Sequence, residues 1–308
     1  MKAVVLNIPK KNTFDGMNRL FLFFLLLLSI QSIAQPTFDV AQGTFMEASA
    51  SRHGDKIAND LRYYSGELNL PVTWNPRNIS IVNPMYEWHR FSLSDDSITV
   101  HQDLHDYSLF LSHRHALKDT THYFLFAAGI RHYAETGIHP GSSTLTPAFA
   151  VLYGHQVNAR FSWQAGGYYS REFFGHYWLP LLGYEWRASK RLWTWGILPR
   201  YAVVDYAITR SFHACFFYKG VTDSYRVRQH DYFAWIEGQA RLGFEYYLSH
   251  LPIAFTVDVG QSAAREYFAY DNNRDVEQEL LPANGLIFHA GIQLRVVTNK
   301  DFYAPQKK

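Results

Sequence analysis

Residues 232–248, YFAWIEGQARLGFEYYL, alternate between two kinds of position without a break. Even positions carry mainly apolar side chains such as Ile236, Leu242 and Phe244, whereas odd positions include Glu237 and Arg241. Successive side chains of a β-strand point to opposite faces, so this period of two predicts a strand with one apolar and one polar face. Strands of soluble proteins usually have about five or six residues, and this segment is too long to be one of them.

Period-two patterning recurs along most of the chain, most clearly in residues 67–74, 160–165, 253–260 and 286–296. No amphipathic helix of comparable regularity lies between these segments, which excludes α/β folds. The sequence therefore predicts an all-β fold, an antiparallel transmembrane β-barrel that occupies residues 43–297. We expect about fourteen strands, and the poor phase between Arg200 and Gln229 leaves twelve as the alternative.

The connections between the predicted strands alternate in length. Short turns are expected at residues 75–78, 154–158, 188–190 and 249–251, and longer loops at 134–143 and 266–284. Outer-membrane barrels have short periplasmic turns and longer extracellular loops. Both chain termini are therefore predicted to lie on the periplasmic side.

Aromatic and charged residues distinguish a membrane barrel from a soluble secreted β protein, which is the alternative. Near the short turns, where a transmembrane barrel has an interfacial girdle, lie Trp74, Tyr153, Trp186, Trp193, Trp195, Tyr246 and Tyr247. The opposite face would line a lumen with a polar ladder that consists of Glu237, Gln239, Arg241, Glu245, Asp258, Gln293 and Arg295. In a dry sandwich core each unpaired charge would cost several kcal/mol, so the membrane barrel is preferred.

Three prolines count against a closed barrel. Pro84, Pro147 and Pro180 fall inside predicted strands. A proline cannot donate a backbone hydrogen bond, and a closed barrel has no free edge to hold it. These positions therefore need bulges, or the strand boundaries must shift.

An export signal is predicted before the barrel. Residues 20–30, LFLFFLLLLSI, are almost purely apolar, follow Arg19 and lead to the small residues Ser32 and Ala34. This order is typical of a secretory signal peptide, and the run is shorter than the roughly 20 residues of a transmembrane helix. We expect residues 1–34 to be removed, with a mis-start before Met17 as a further interpretation. Residues 35–42 would then form a short lead and 298–308 a C-terminal tail.

Charge and cysteine content restrict the partners. The 308 residues carry a net charge of +2, and loss of residues 1–34 removes four basic residues and one acidic residue, which leaves about −1. This balance predicts no nucleic-acid partner. The single cysteine, Cys215, cannot form an internal disulfide. We expect no cofactor, and as partners the lipid bilayer together with small solutes or periplasmic proteins.

The segment LPLLGYEW at 179–186 is followed by SK at 189–190 and ILP at 197–199. This order of residues resembles that of an uncharacterised family of bacterial outer-membrane β-barrels, and the resemblance extends loosely over residues 40–297. It implies an outer-membrane location. It implies no activity, and no catalytic residue can be carried over.

Fifteen histidines raise the question of a metal site. His101, Asp103 and His105 share one face of a predicted strand and are the ligand types of a metal triad. Their spacing of two residues separates neighbouring ligands by about 6.6–7 Å, which is wide for one small ion. Polar residues at the lumen or the barrel rim are the simpler interpretation.

The sequence predicts function only at the level of class. The leading interpretation is an outer-membrane barrel with a structural role or with passive transport of small solutes. One alternative is a lipid-modifying or hydrolytic enzyme, but no catalytic motif surrounds Ser162, Ser170 or Ser211 near their histidines, and we expect no catalysis. The other is an adhesion or assembly factor that acts through extracellular loops, chiefly residues 266–284.

Cell fractionation tests the export signal and the barrel together. We expect the mature protein to begin at Gln35 and to be recovered in the outer membrane. It should migrate differently on gels before and after boiling, because a closed barrel resists unfolding by detergent. Recovery from the soluble periplasm without a heat-dependent shift would contradict both expectations.

Overall fold

The computed structural model describes residues 37–50, 58–75, 78–94, 99–141, 144–228, 232–248, 251–271, 273–280 and 284–297. The predicted signal peptide and the C-terminal tail lie outside these residues. In the described part of the chain no helix is long and apolar enough to span a membrane. Its regular secondary structure consists of β-strands.

Sixteen strands follow one another along the described residues. They are β1 (Thr37–Ala50), β2 (Ala58–Leu68), β3 (Leu70–Asn75), β4 (Asn78–Ser94), β5 (Thr99–Ala116), β6 (His122–Glu135), β7 (Leu145–Asn158), β8 (Phe161–Glu172), β9 (Gly175–Arg187), β10 (Leu192–Leu198), β11 (Tyr201–Ala207), β12 (Phe212–Arg226), β13 (Tyr232–Tyr247), β14 (Ile253–Tyr270), β15 (Val276–Leu280) and β16 (Leu286–Val297). Most of them reach the length of about 9–11 residues that a transmembrane strand requires.

Antiparallel pairing closes these strands into one barrel. Neighbours in the chain pair with each other, and β14 pairs with β16, which pairs with β1. β2 and β3 form one wall strand that is interrupted at Asn69, and β15 pairs only with the end of β14. The wall therefore has fourteen strands, which confirms the predicted all-β barrel and its larger strand count.

Three boundaries differ from the sequence prediction. β1 begins at Thr37, before the predicted start at Gly43, because a register shift between Asp39 and Ala41 interrupts the alternation there. β7 runs through the predicted turn at 154–158, and the chain turns at residues 159–160 instead. Much of the predicted loop 266–284 is strand, because β14 extends to Tyr270 and β15 pairs with it.

The three interior prolines lie where pairing to one neighbouring strand is interrupted or has ended. Pro84 faces the interruption between β2 and β3, since pairing to β4 stops at Met85 and resumes at Val82. Pro147 precedes Ala148, the residue at which β7 begins to pair with β8. Pro180 lies in the part of β9 that β10 does not reach. Each proline therefore costs the barrel fewer hydrogen bonds than the sequence alone suggested.

The outer surface of the barrel is an apolar belt. Along β13 the side chains of Leu242 and Phe244 are 64% and 51% exposed, whereas Arg241 and Glu245 on either side of them are buried. The same alternation covers β14, where Val257 and Val259 are exposed and Asp258 is buried.

The predicted aromatic girdle is only partly correct. Trp186 and Tyr246 are exposed on the outer surface near the short turns. Trp193 and Trp195 instead stack inside the barrel with ring centroids 3.8 Å apart. Tyr247 also faces inward, where its hydroxyl donates to Glu245. Period-two patterning cannot assign a face when a strand is aromatic on both sides.

We call the end of the barrel at which β1 begins and β16 ends the lower end, and the opposite end the upper end. The upper halves of β12, β13 and β14 leave the wall and fold into the barrel. We call residues 220–226, 232–238 and 264–270 the inner sheet. Unlike the lower halves, most of its side chains are buried on both faces, including outward positions such as Thr222, Ser224 and Ala234. A register shift between Gly238 and Gln239 marks the bend, as a β-bulge does.

Two wall strands span only half the height of the barrel. β10 and β11 have seven residues each and are joined at residues 199–200. Above that turn, β9 and β12 have no strand between them. The β12 end instead crosses the interior and pairs in parallel with β6, at Arg226 and Ala134. This crossing explains the poor phase that the sequence shows between Arg200 and Gln229.

Substitution of Leu242 tests whether the outer belt faces lipid. An arginine near the middle of the membrane on this face should destabilise the folded barrel by about 2–4 kcal/mol, because its charge enters hydrocarbon. The measurement is the denaturant midpoint of Leu242→Arg after refolding into vesicles. Ser189→Arg, in the exposed turn after β9, is the control, and equal midpoints for the two variants would show that Leu242 does not contact lipid.

Candidate functional site

A cavity of about 270 Å³ lies inside the barrel at the foot of the inner sheet. Its walls are contributed by β1, β2, β4, β10 to β14 and β16, so it occupies one side of the interior. Basic and acidic side chains both line it: Arg200, Lys219, Arg241, Arg295, Asp39, Glu67, Glu87, Asp223, Glu245 and Asp258. The cavity is therefore suited to a molecule, or part of one, that is strongly polar.

Most of the polar ladder expected from the sequence meets at this cavity. Six of its seven members line the cavity, namely Gln239, Arg241, Glu245, Asp258, Gln293 and Arg295. The seventh, Glu237, lies within the inner sheet, where it accepts hydrogen bonds from Arg265 at 2.6 Å and from the Trp235 indole at 2.9 Å. All seven side chains are buried.

Arg295 is the centre of the largest ionic cluster. Its guanidinium forms two hydrogen bonds with Asp39, and it donates to Glu245 at 2.7 Å. Tyr247 completes the cluster by donating to Glu245, also at 2.7 Å. The cluster joins β1, β13 and β16, which close the barrel. Asp39 was missed by the sequence analysis because the register shift in β1 placed it in the predicted lead.

A second cluster joins β13, β14 and β16. Arg241 lies 3.1 Å from Asp258, and the imidazole of His289 lies 2.7 Å from the other oxygen of the same carboxylate. Next to it, Gln293 donates to Thr256 at 2.9 Å. These contacts occupy most of the ladder's polar groups, so the ladder chiefly holds the shape of the cavity.

Other polar atoms at the cavity are buried without a hydrogen-bond partner among the described residues. They include Arg200 Nη1, Thr222 Oγ1 and Asp223 Oδ1. Lys219 lies nearby, with its ammonium 5.3 Å from the centre of the Tyr63 ring. Buried polar groups nearly always have partners, so these atoms have hydrogen-bonding capacity left for water or for a ligand in the cavity.

The other side of the interior contains an apolar cluster beside buried polar residues such as Gln164 and Glu185. Lumen-facing residues of β6 to β10 form a packed cluster that includes Leu125, Leu152, Leu179, Leu181 and Ile197. The sequence did not predict this cluster. β9 carries leucine on both faces, with Leu181 inside and Leu182 outside, so its pattern does not distinguish lumen from lipid.

The inner sheet closes the interior above the cavity. The ring of Phe91 on β4 contacts Phe233, Trp235 and Tyr267, with centroid distances between 5.2 and 5.6 Å. Two strands further along the same side of the wall, Tyr133 of β6 stacks on Tyr225 at 5.3 Å, and the other face of the inner sheet meets Phe173, whose ring stacks on Tyr232 at 5.1 Å. Tyr267 is fully buried here, so it does not belong to an exposed adhesive loop as the sequence suggested.

The proposed metal ligands lie outside the cavity. Asp103 pairs with Arg90 at 2.7 Å on the outer surface. The His105 ring, on the same face, lies 3.0 Å from the Tyr86 hydroxyl and 2.9 Å from the Thr136 hydroxyl. The side chain of His101 is not among the described ones. No group of three metal-ligating side chains occurs in the part of the chain that the structure describes.

Ser170 and the single cysteine, Cys215, both lie beside carboxylates. The Ser170 hydroxyl donates to Glu172 at 2.5 Å, and the carboxylate is itself paired with Arg131. Cys215 is buried with its sulfur 3.9 Å from Asp205, whose carboxylate also bonds His213 at 2.8 Å. A thiol beside a carboxylate is not activated as a nucleophile, because the negative charge opposes thiolate formation.

Comparisons with known proteins show only distant likenesses. No family model matches the sequence, and no curated protein matches it. An outer membrane channel from Pseudomonas putida F1 is 8% identical with a TM-score of 0.44, covering 82% of this chain and 94% of that one. The translocator domain of autotransporter NalP from Neisseria meningitidis is 10% identical with a TM-score of 0.39, covering 82% and 86%. Likenesses this weak say nothing about what this barrel carries or binds.

The closed wall and its apolar belt themselves identify the environment of the protein. In hydrocarbon every backbone polar group must be paired, which restricts spanning structures to helices and closed barrels. A barrel of this size with an apolar outer surface is the architecture of bacterial outer-membrane proteins, and on that ground we place the chain in the outer membrane.

Arg295→Met tests the role of the largest ionic cluster. Removal of the guanidinium leaves Asp39 and Glu245 buried without their cation, which should cost about 3–5 kcal/mol of stability. Arg62→Met is the control, because Arg62 pairs with Glu47 on the exposed outer surface and such pairs contribute at most about 1 kcal/mol. Denaturant midpoints in vesicles measure both effects, and equal midpoints would mean that the cluster does not stabilise barrel closure.

Proposed function

We propose that the protein is a passive outer-membrane transport barrel whose internal cavity holds the polar group of a small solute. The observation that carries this proposal is the set of buried, unpartnered polar atoms on Arg200, Thr222 and Asp223 around one cavity. A purely structural barrel gains nothing from such atoms, since each one loses its hydration without compensation. Membership of the uncharacterised barrel family that residues 179–199 resemble belongs to the same proposal.

The polar ladder acts in this proposal as a scaffold. Arg241 is paired with Asp258, and Glu245 is paired with Arg295. These pairs fix the positions of the unpaired groups around the cavity. The lining has both signs of charge, which favours a solute that carries an anionic and a cationic group over a simple ion. A preformed site of this kind loses little freedom when the solute binds.

The inner sheet is the barrier to transport in the observed state. Its residues contact β4 and β6 on one side of the interior and the end of β8 and Phe173 on another, directly above the cavity. A solute can cross only when this packing loosens or when another route leads out of the cavity. The structure therefore represents a closed state of the proposed transport barrel.

Planar-bilayer recordings test the barrier. The wild-type barrel should show low, rare conductance, whereas the double variant Phe91→Ala/Trp235→Ala should conduct at least several-fold more, because two central aromatic rings are removed. The control is Phe244→Ala, which removes a ring of similar size from the outer belt.

Two outcomes would count against the proposal. If the double variant folds with normal heat-dependent migration yet conducts no more than wild type, the inner sheet is not the barrier. If Asp223→Asn in the opened background leaves both conductance and cation selectivity unchanged, the cavity is not on the path.

A further inference from the structure

The wall of the barrel contains a seam at which no strand pairing occurs. β10 pairs with β9 only from Leu182 to Arg187, so residues 175–181 of β9 pair with β8 alone. β11 likewise pairs with β12 only up to Lys219. In the upper half, β12 packs against the end of the β8–β9 hairpin through Glu172 and Phe173. We call this boundary between β8–β9 and the upper half of β12–β13 the seam.

Side chains hold the seam together. Ser224 on β12 donates to Glu172 at 2.8 Å and accepts a hydrogen bond from the Phe173 backbone N–H at 3.2 Å. The ring of Phe173 stacks on Tyr232 at 5.1 Å. Among the described residues no backbone-to-backbone hydrogen bond joins β9 to β12. Separation of two wall strands elsewhere would break a continuous series of backbone bonds, whereas opening the seam breaks side-chain contacts, which also include Phe174 with Tyr270 and the packed apolar residues between the two sides.

The cavity reaches the lower end of the seam. Its lining includes Val221 and Asp223, which face the interior from β12, but also Gly220 and Thr222, the alternate residues of the same strand. Arg200, at the half-height turn between β10 and β11, completes this end of the cavity. The cavity therefore lies against β12 and the β10–β11 turn at the point where the wall ceases to be paired, although none of its lining residues belongs to β8 or β9.

Lipid lies on the other side of the seam. The outward side chains beside it, Trp178, Leu182 and Leu198, are exposed and apolar, and Trp178 is 69% exposed. The buried face of β9 is apolar as well, with Leu179 and Leu181. A fully polar solute cannot leave by such a route, because it would enter hydrocarbon.

We propose that the seam is a lateral route between the cavity and the outer leaflet, and that it serves a single-chain amphiphile with a zwitterionic headgroup. This inference rests on the proposed transport function and names its substrate class. The phosphate of a lysophospholipid would meet Arg200 and Lys219, and its ammonium would meet Asp223. A cavity of about 270 Å³ is large enough for such a headgroup. The acyl chain would lie along the apolar residues of the seam, Leu179 and Leu181.

Photolabelling of the reconstituted protein tests the route. The probe is lysophosphatidylethanolamine with a diazirine close to its headgroup, added to phosphatidylcholine vesicles that contain the barrel. Two cysteines, Glu172→Cys and Ser224→Cys, are introduced in a Cys215→Ala background so that a disulfide or a short bifunctional reagent can lock the seam. We expect labelling of β12 residues 219–223 to fall at least tenfold on locking and to return on release. Labelling of the outer belt should stay constant and serves as an internal reference.

Matched pairs guard against effects of the cysteines themselves. Phe173→Cys with Tyr232→Cys locks the same seam through different side chains and should give the same loss. Leu182→Cys with Leu198→Cys joins two directly paired residues of β9 and β10, so locking there should leave cavity labelling unchanged. In the unlocked barrel, Arg200→Gln or Asp223→Asn should reduce cavity labelling by about tenfold.

The possible results separate this inference from the transport function. Equal cavity labelling of locked and unlocked barrels overturns the lateral route but leaves the transport function intact, because the probe then entered through the lumen. If only the outer belt is labelled in the locked, unlocked and substituted barrels, an amphiphile is not the substrate. If the opened Phe91→Ala/Trp235→Ala barrel also fails to conduct, the transport function fails with it. Loss of labelling with Arg200→Gln but not with Asp223→Asn would overturn the zwitterionic headgroup in favour of an anionic one.

Discussion

Pairing of every backbone N–H and C=O in a medium without water is the constraint on which this structure depends. It makes the wall continuous through fourteen strands and joins the first strand to the last. It also explains why Pro84, Pro147 and Pro180 lie only where pairing to a neighbouring strand is absent. The seam above the β10–β11 turn is an exception, since the upper part of β12 packs there against the end of the β8–β9 hairpin through Glu172 and Phe173.

Much of the fold could be predicted from the sequence because one physical rule governs it. A strand between lipid and lumen must alternate apolar and polar side chains. β13, β14 and β16 do so over their lower halves, with Leu242, Val259 and Phe288 on the outer face. The inner sheet could not be predicted, because residues such as Ala234 and Ile236 continue the same alternation although both faces are covered there. Alternation shows that the two faces of a strand differ in polarity, but it does not show whether lipid, solvent or another part of the protein covers each face.

The candidate site was accessible to sequence reasoning only in part. The polar ladder was recognisable because charged side chains at every second position of a long strand are costly unless they face a lumen. The groups that remain available to a ligand could not be recognised from the sequence, since Arg200 lies in a turn and Asp223 in a segment of poor phase. Asp39 was hidden by a register shift in β1. Pairing across the barrel, which decides which charges are neutralised, depends on contacts between residues far apart in the chain.

The pairing of β1 with β16 has a consequence for biogenesis. Thr37 lies opposite Val297, and Asp39 near one end of the chain is bound to Arg295 near the other. The barrel therefore cannot close until the last strand, β16, has been exported and has paired with β1. A chain cut short before Leu286 would leave β1 and β14 as two long open edges, which are templates for aggregation. The final dozen residues of the barrel therefore act as a quality check on complete export, because only a full-length chain can hide its own edges.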